Sequence, residues 1–207
     1  QLTGEIPSEI GNLTNLTDLN LHENQLTGEI PSEIGSLTYL TNLSLYYNQL
    51  TGEIPSELGN LMNLIYLDLG ENFLIGEIPH DIGNLTNLIY FYLEYNQLTG
   101  TIPITLCNLI NLDLHNFSFS SNYLCPPYPE CIEGHVGEQD TSECVEYQLG
   151  DVNQDDIINI LDVVTGVYII LDVIEYTNYQ QYLLDYNQDG ESNILDITAL
   201  VNYILAE

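Results

Sequence analysis

Two short segments near the C-terminus carry oxygen-bearing side chains at the same spacing. In the first segment, Asp or Asn occupies positions 1, 3, 5, 9 and 12, at Asp151, Asn153, Asp155, Asn159 and Asp162. The second segment repeats this spacing 34 residues later, at Asp185, Asn187, Asp189, Asn193 and Asp196. Calcium is a hard cation that binds six to eight oxygens, and alternate residues of a tight loop direct their oxygens inward. The spacing therefore predicts two calcium-binding loops.

Backbone positions complete each predicted loop. Position 7 of such a loop supplies a backbone carbonyl, which here belongs to Ile157 and to Glu191. Position 6 usually requires glycine, and Gly190 meets that requirement, whereas Asp156 stands at position 6 of the first loop. Because Asp adopts the left-handed conformation only with some strain, we expect the first loop to be the weaker site. The opposing interpretation is a duplicated acidic turn that binds no metal.

Each loop leads into an apolar helical pattern, over residues 160–171 and 194–205. Two loops in register, each followed by a helix, resemble a type I dockerin, and the resemblance covers residues 149–207. It implies a small all-α domain that holds two calcium ions. An EF-hand pair is less favoured, because no full helix is predicted before either loop and position 12 is Asp rather than Glu.

The resemblance to dockerins also implies a partner. Dockerins are secreted bacterial modules that bind cohesin domains and attach their carriers to scaffolds or cell surfaces. Their contacts usually involve positions 10 and 11 of each loop, together with basic residues later in the helix. The residues at positions 10 and 11 are Ile160, Leu161, Ile194 and Leu195. Since no basic residue follows them, this apolar surface is also expected to pack on the rest of the chain or on another copy.

The first part of the chain is organised by leucines at a fixed period. Leu13, Leu37, Leu61, Leu85 and Leu109 stand 24 residues apart. A period of this length indicates a solenoid. Each repeat also contains Leu-x-Gly-x-Ile-Pro after an asparagine, a pattern that resembles the plant-type leucine-rich repeat. The resemblance implies an α/β solenoid, an arc of about five turns over residues 1–124.

Each repeat predicts one short strand followed by a turn. In the second repeat, Leu43 and Leu45 point inward while Ser44 and Tyr46 face outward, with a period of two. A column of asparagines is expected to satisfy backbone groups where the chain leaves each strand, and it comprises Asn24, Asn48, Asn72, Asn96 and Asn122. Gly28, Gly52, Gly76 and Gly100 suit turn positions where a side chain would clash.

The end of the solenoid is irregular and contains all four cysteines. The strand pattern of Phe117, Phe119 and Asn122 comes two residues later than the period predicts. Cys107, Cys125, Cys131 and Cys144 predict two disulfides that close this end, in a cap and linker over residues 125–148. Three pairings are possible, and the stack position of Cys131 near Cys107 favours Cys107–Cys131 with Cys125–Cys144. A zinc site is less favoured, because the spacings give no paired Cys-x-x-Cys.

The charge balance limits the possible partners. The chain has 31 Asp plus Glu residues and no Lys or Arg, a formal net charge of −31. Nucleic acid and anionic membrane surfaces are therefore disfavoured, since nothing here neutralises phosphates. No stretch of 18 or more apolar residues predicts a membrane-inserted helix. The acidity fits either a solvated surface in salty surroundings or dependence on divalent cations.

A second candidate surface is rich in tyrosine. The exposed positions of the strands are expected to carry Tyr46, Tyr47, Tyr66, Tyr90, Tyr92 and Tyr95, flanked by Glu71 and Glu94. Tyrosine offers a large contact area and a hydroxyl, which suits recognition of a protein or a carbohydrate. The alternative is a sheet surface on which tyrosine merely has a high β-propensity.

The sequence predicts a protein without catalytic activity. It contains no nucleophile elbow, phosphate-binding loop or His-Glu-x-x-His motif. We expect a secreted or cell-surface attachment protein, whose repeats recognise a partner and whose dockerin-like module, residues 149–207, docks with calcium. The alternative is a subunit of an extracellular filament. Gln1 enters in the middle of a repeat, so an open solenoid end is expected that allows copies to stack head to tail.

Overall fold

The chain folds into two compact units, a repeat unit of residues Gln1–Glu143 and a C-terminal unit of residues Cys144–Glu207. The structure is a computed structural model, and it describes residues 1–109, 111, 116–142, 144, 149–153, 157–174, 176, 178–187 and 190–206. Five residues of the predicted calcium loops lie outside the described residues, namely Gln154, Asp155, Asp156, Gln188 and Asp189.

The described part of the repeat unit is a solenoid of short parallel strands. In chain order they are β1 (Thr3–Glu5), β2 (Asp18–Asn20), β3 (Gln25–Glu29), β4 (Asn42–Ser44), β5 (Gln49–Thr51), β6 (Tyr66–Asp68), β7 (Ile75–Gly76), β8 (Tyr90–Tyr92), β9 (Gln97–Leu98) and β10 (Phe117–Ser118). The order β10-β8-β6-β4-β2 forms one five-stranded sheet, which confirms the predicted strand of each repeat. The other strands form sheets β1-β3-β5 and β7-β9, which the sequence analysis did not predict.

A five-residue 3₁₀ helix completes each rung of the solenoid. These helices are Ser8–Asn12, Ser32–Ser36, Ser56–Asn60, His80–Asn84 and Ile104–Asn108. Each follows a proline with an extended backbone, such as Pro55 at φ −63° and ψ 131°. Glycine in these helices lets neighbouring rungs approach closely, since a Cβ on Gly35 would lie 2.4 Å from the carbonyl oxygen of Glu57.

The leucine ladder forms the core of the repeat unit. Leu37, Leu61 and Leu85 are fully buried, whereas Leu13 in the first rung is about half exposed. At the other end of the sheet phenylalanines replace leucines, and the rings of Phe91 and Phe119 pack edge to face at 5.2 Å. Phe117 pairs with Phe91, which confirms the two-residue shift in the last rung.

Two disulfides close the C-terminal end of the repeats, as predicted. Cys107 and Cys131 are bonded across a sequence separation of 24 residues. This is the pairing that the stack position of Cys131 favoured. Cys125 and Cys144 are also disulfide-bonded, and none of the described cysteines is free.

The asparagine column connects neighbouring rungs. The buried Asn72 side chain accepts a hydrogen bond from the Leu50 N–H at 3.0 Å. Its amide donates to the carbonyls of Leu45, Leu69 and Gly70 at 3.0 to 3.2 Å. Equivalent bonds form at Asn48, Asn96 and Asn122. The predicted role of this column in satisfying backbone groups is confirmed.

The described part of the C-terminal unit contains three helices, α1 (Ile160–Ile170), α2 (Asn178–Leu184) and α3 (Ile194–Ile204). The first and third agree with the predicted helices to within one residue at the C-terminal end. Helix α2 was not predicted, and it directly precedes the second loop, so the expectation of no helix before either loop is wrong there. The core of the unit includes Val152, Leu184 and Leu200. Gly166 permits tight packing, since a Cβ there would lie 2.6 Å from Leu184 Cδ1.

Candidate calcium loops and recognition surfaces

The aspartate at position 12 closes each loop. Asp162 Oδ2 accepts a hydrogen bond from the Asn159 N–H at 2.7 Å, and its Oδ1 accepts one from the Asn153 N–H at 3.0 Å. One carboxylate therefore ties position 3 of the loop to the start of helix α1. In the second loop, Asp196 accepts from the N–H groups of Asn193 and Asn187 at 2.8 and 3.1 Å.

The asparagine at position 9 caps the following helix. Asn159 Oδ1 accepts from the Leu161 N–H at 2.8 Å, and Asn159 Nδ2 donates to the Ile157 carbonyl, the predicted position-7 ligand, at 2.9 Å. Asn193 makes the same two bonds in the second loop. The sequence analysis missed this role, although an asparagine before an apolar helical pattern is a typical N-cap signal. Whether these asparagines also bind calcium stays a prediction.

Positions 1 and 6 are described in part. Asp151 is buried at position 1 of the first loop. In the second loop, Asp185 Oδ2 accepts a hydrogen bond from the Gly190 N–H at 3.0 Å. Gly190 has a φ of 86°, the left-handed conformation expected at position 6. The described residues thus place carboxylates at positions 1 and 12 of both loops.

The donor chemistry of the loops fits calcium. Asp151, Asp162 and Asp196 are only 1%, 0% and 0% exposed, and the chain contains no Lys or Arg to neutralise them. Burial of a carboxylate without a compensating cation is costly, and hydrogen bonds from backbone N–H groups offset only part of this cost. Within the described ranges no three His, Cys, Asp or Glu side chains meet as a metal site. The third predicted carboxylate of each loop, Asp155 or Asp189, lies outside those ranges.

Helix α2 connects the two loops. Gln180 Nε2 donates to the Val152 carbonyl in the first loop at 3.3 Å. Ser192 Oγ in the second loop donates to the Gln181 carbonyl at 2.7 Å. Helix α2 thus contacts both loops directly.

The predicted contact residues form two equivalent apolar pairs. Ile160 and Leu161 begin α1 and are 60% and 55% exposed, while Ile194 and Leu195 begin α3 and are 61% and 59% exposed. Tyr168, seven residues after Leu161 in α1, is also exposed, whereas Ile169 is buried in the core. We refer to Ile160–Leu161 and Ile194–Leu195 as the apolar pairs.

Four of the six predicted tyrosines lie on or directly beside the five-stranded sheet. The ring centroid of Tyr66 lies 5.8 Å from that of Tyr90 and 5.9 Å from that of Tyr92. The Tyr66 hydroxyl donates to Asp68 Oδ2 at 2.8 Å, and the Tyr46 hydroxyl donates to Glu71 Oε1 at 2.7 Å. Two of these tyrosines, Tyr46 and Tyr66, are therefore held by hydrogen bonds to acidic side chains.

The acidic groups of this sheet face are only partly compensated. Burial raises the pKa of Asp68, although hydrogen bonds from Tyr66 and Gly70 oppose this rise. Burial also raises the pKa of Glu94, and the charges of Asp68 and Glu71 contribute. Glu94 Oε2 is buried and accepts no hydrogen bond from any described residue. Excess negative charge therefore accumulates around Asp68, Glu71 and Glu94.

Tyr47 and Tyr95 lie elsewhere, in the turns that follow strands. Both have a φ of 54°, in the left-handed region. Together with Glu71, Phe73 and neighbouring amides they line an open hollow of about 730 Å³ on the repeat unit. We refer to it as the aromatic hollow. The structure thus divides the six tyrosines into a sheet group and a turn group, and the sequence analysis did not identify Phe73.

We expect the Tyr46 hydroxyl to titrate far above the ordinary tyrosine value. Its hydrogen bond to Glu71, with smaller effects of burial and nearby carboxylates, raises the pKa of Tyr46 from 10.0 to about 12. Because the pKa is raised in the folded state, the stabilising contribution is complete below about pH 10 and is lost as pH rises through about 12. A ¹³C NMR titration of the tyrosine Cζ signals measures it. Glu71→Gln should lower this pKa towards 10, while Glu53→Gln, just beyond the end of β5, should leave it unchanged. Equal effects of both would contradict the assignment.

Two protein families match this chain, one in the repeat unit and one in the C-terminal unit. The dockerin type I domain matches residues 149–205, which include both loops and all three described helices. The leucine-rich repeat matches four times, over residues 15–37, 39–61, 63–85 and 87–109. Both families are generally non-catalytic interaction modules. A comparison with curated protein sequences gives no match.

Solved structures similar to the chain include leucine-rich repeat ectodomains of plants. The plant peptide hormone receptor RGFR1 in complex with RGF2 is 36% identical with a TM-score of 0.60, over 67% of this chain and 22% of the receptor chain. The Arabidopsis receptor kinase HAESA, in complex with the peptide hormone IDA and the co-receptor SERK1, is 38% identical with a TM-score of 0.59, over 62% of this chain and 21% of the other. A chain of the BIR3–SERK2 complex from Arabidopsis thaliana is 37% identical with a TM-score of 0.52, over 63% of this chain and 69% of the other.

The chain belongs to the leucine-rich repeat family and contains a C-terminal dockerin type I domain. It spans only about a fifth of the two receptor chains, RGFR1 and HAESA. No helix within the described ranges is long and apolar enough to cross a membrane.

Proposed function

We propose that this protein is a non-catalytic extracellular docking protein. Its repeats recognise a protein partner, and its dockerin domain attaches it to a second protein through two calcium-stabilised loops. The observation that carries this proposal is the duplicated unit in the matched dockerin domain, in which a closed loop runs into a helix that begins with an exposed apolar pair.

The apolar pairs are the docking contact. All four side chains are more than half exposed, and each pair occupies positions 10 and 11 of a loop, directly before the buried carboxylate at position 12. Large exposed apolar side chains at equivalent positions of two copies are typical of a protein-binding surface. Calcium acts on this surface indirectly, because it stabilises the loop that fixes the first turn of each helix.

The disulfides support an extracellular location. Two of them close the C-terminal end of the repeats, and such bonds persist in oxidising compartments. For the repeats, a peptide or protein ligand is supported by two similar structures, which are receptors in complex with peptide hormones.

The docking function is tested by surface plasmon resonance of the full chain on an immobilised type I cohesin domain. We expect binding in 5 mM calcium that disappears in excess EGTA, because the loops then lose their order. Simultaneous Ile160→Asp, Leu161→Asp, Ile194→Asp and Leu195→Asp substitution should weaken binding by about 100-fold or more, since it removes the apolar contact from both copies.

Val173→Asp is the matched control, because Val173 is 62% exposed and lies beyond the end of α1. It should leave the affinity within about twofold. The proposal is wrong if the quadruple variant binds cohesin as tightly as the natural chain, if EGTA does not change binding, or if the calcium-loaded chain does not bind.

A further inference from the structure

The aromatic hollow gathers exposed aromatic side chains around one carboxylate. Tyr47, Phe73 and Tyr95 are 55%, 49% and 59% exposed, and Glu71 lies on the same lining. Tyr47, Glu71 and Tyr95 occupy equivalent positions in three successive repeats, so Glu71 stands one rung from each tyrosine. Strands of neighbouring rungs are about 4.8 Å apart, which separates the two tyrosine backbones by about 10 Å.

Backbone conformation does not explain why tyrosine occupies positions 47 and 95. At a φ of 54° both lie in the left-handed region, where Gly, Asn and Asp are favoured and bulky side chains are not. Neither lies in a strand, so β-propensity does not select tyrosine there either. Their N–H groups bond the carbonyls of Gly70 and Ser120, at 3.0 Å each, which any non-proline residue does equally. The aromatic side chains of Tyr47 and Tyr95 are therefore explained by the exposed surface that they form and not by the conformation of the turn.

Phe73 gives the same indication by comparison with its own repeats. Gln occupies this position in four other repeats, at Gln1, Gln25, Gln49 and Gln97, and Tyr123 occupies it in the shifted last rung. The Phe73 N–H donates to the Leu50 carbonyl at 2.8 Å, and the Gln97 N–H donates to the Leu74 carbonyl at the same distance. The backbone is thus unchanged, and the replacement only adds an exposed ring to the hollow.

Glu71 supplies fixed negative charge. Its Oε1 accepts the Tyr46 hydroxyl, which orients the carboxylate, and its charge adds to those of Asp68 and Glu94. The chain has no Lys or Arg, so a Lys or Arg side chain that neutralises this group comes from another molecule. A carboxylate flanked by aromatic faces is the chemistry that attracts an organic cation. A neutral sugar would stack on the aromatic rings but would not neutralise the charge of Glu71.

We propose that the aromatic hollow binds a Lys or Arg side chain of a partner polypeptide, held against Glu71 between Tyr47 and Tyr95. This inference rests on the proposed recognition of a protein by the repeats, and it specifies the chemistry of that protein. The planar guanidinium of Arg suits the site best, since it donates to a carboxylate while stacking on aromatic rings. The volume of about 730 Å³ also accommodates residues on either side of the basic one.

The test is an NMR titration of the full chain, in calcium, with two pentapeptides. One is acetyl-Gly-Ser-Arg-Ser-Gly-amide, and the other carries citrulline, the neutral analogue of arginine, in place of Arg. We expect the arginine peptide to shift the ring signals of Tyr47, Phe73 and Tyr95. The citrulline peptide should have an affinity lower by about tenfold or more. Glu71→Gln should weaken arginine binding by about tenfold, and Phe73→Gln, which restores the repeat pattern, by about twofold to fivefold.

Glu23→Gln is the matched control. Glu23 occupies the equivalent turn, with a φ of 54° against 51° for Glu71, but does not line the hollow. It removes the same charge and should leave the affinity within about twofold. Equal weakening by both variants would show non-specific attraction to the acidic chain and overturn the proposal.

Two other outcomes also overturn the proposal. Equal affinity for the citrulline peptide would remove the role of the cation. Cellotetraose that binds the hollow, and binds the Glu71→Gln variant equally well, while the arginine peptide does not bind, would identify a sugar site. Docking through the apolar pairs is measured separately, so intact calcium-dependent cohesin binding would show that only the hollow had been misassigned.

Discussion

Chelation of calcium with excess EGTA is expected to unfold the C-terminal unit and to leave the repeat unit folded. Without a cation, no Lys or Arg offsets the burial of the Asp151, Asp162 and Asp196 carboxylates, because the chain contains neither residue. At a thousandfold excess of calcium over Kd, each site contributes about 4 kcal/mol to folding. A unit of this size has a total stability of roughly 3–9 kcal/mol. Loss of both ions therefore removes its stability.

Far-UV circular dichroism measures this change, because within the described ranges α-helices occur only in the C-terminal unit. Asp162→Asn with Asp196→Asn should reproduce the loss of helix in the presence of calcium. Asp172→Asn is the control, since Asp172 is exposed, follows helix α1 and has a φ of 56° that Asn accepts readily. Helical signal that persists in EGTA would refute the calcium loops while leaving the fold of the repeats unaffected.

Substitution of Asn72 by Ala is expected to destabilise the repeat unit by about 3–5 kcal/mol. The amide of Asn72 makes four hydrogen bonds to backbone groups of two neighbouring rungs. Ala leaves the Leu50 N–H and the carbonyls of Leu45 and Leu69 buried without this partner, and no water reaches them easily. The loss is large because one short side chain satisfies several groups together.

Urea unfolding followed by NMR signals of the repeat unit, in calcium, measures this effect. Asn42→Ala is the matched control, because Asn42 is exposed and its amide has one bond, to Asp18 Oδ2 at 3.1 Å. It should change the free energy of unfolding by less than about 0.5 kcal/mol. Similar values for the two variants would mean that the column contributes little to stability.

Periodicity predicted the strand of each rung, the asparagine column and helices α1 and α3, because each rests on a local pattern that repeats. Helix α2 escaped prediction, since seven residues do not establish a helical period. The second set of strands escaped as well, because Gln-Leu-Thr-Gly reads as a turn. Its pairing depends on the neighbouring rung and on no local preference.

The candidate sites were predictable to different degrees. The spacing of Asp and Asn identified the loops, yet the capping bonds of Asn159 and Asn193 compete with the ligand role assigned to them. Tyr47 and Tyr95 were assigned to the strand surface, although a period of two puts them on the opposite face from Tyr46 and Tyr92. The left-handed turn at Tyr47 and Tyr95 breaks that alternation and turns both side chains towards the aromatic hollow. Head-to-tail stacking of copies and carbohydrate binding stay predictions.

The asparagine column also determines how the solenoid responds to force. Asn72 bonds the rung before it and its own rung through the side chain, and its N–H donates to the Tyr95 carbonyl of the next rung at 3.2 Å. Tension along the solenoid axis is therefore carried by equivalent asparagine hydrogen bonds in successive rungs. Rungs with fewer of these bonds are expected to separate first. If different partners hold the two units, we expect this column to resist the separation of neighbouring rungs, together with the strand hydrogen bonds and the leucine core.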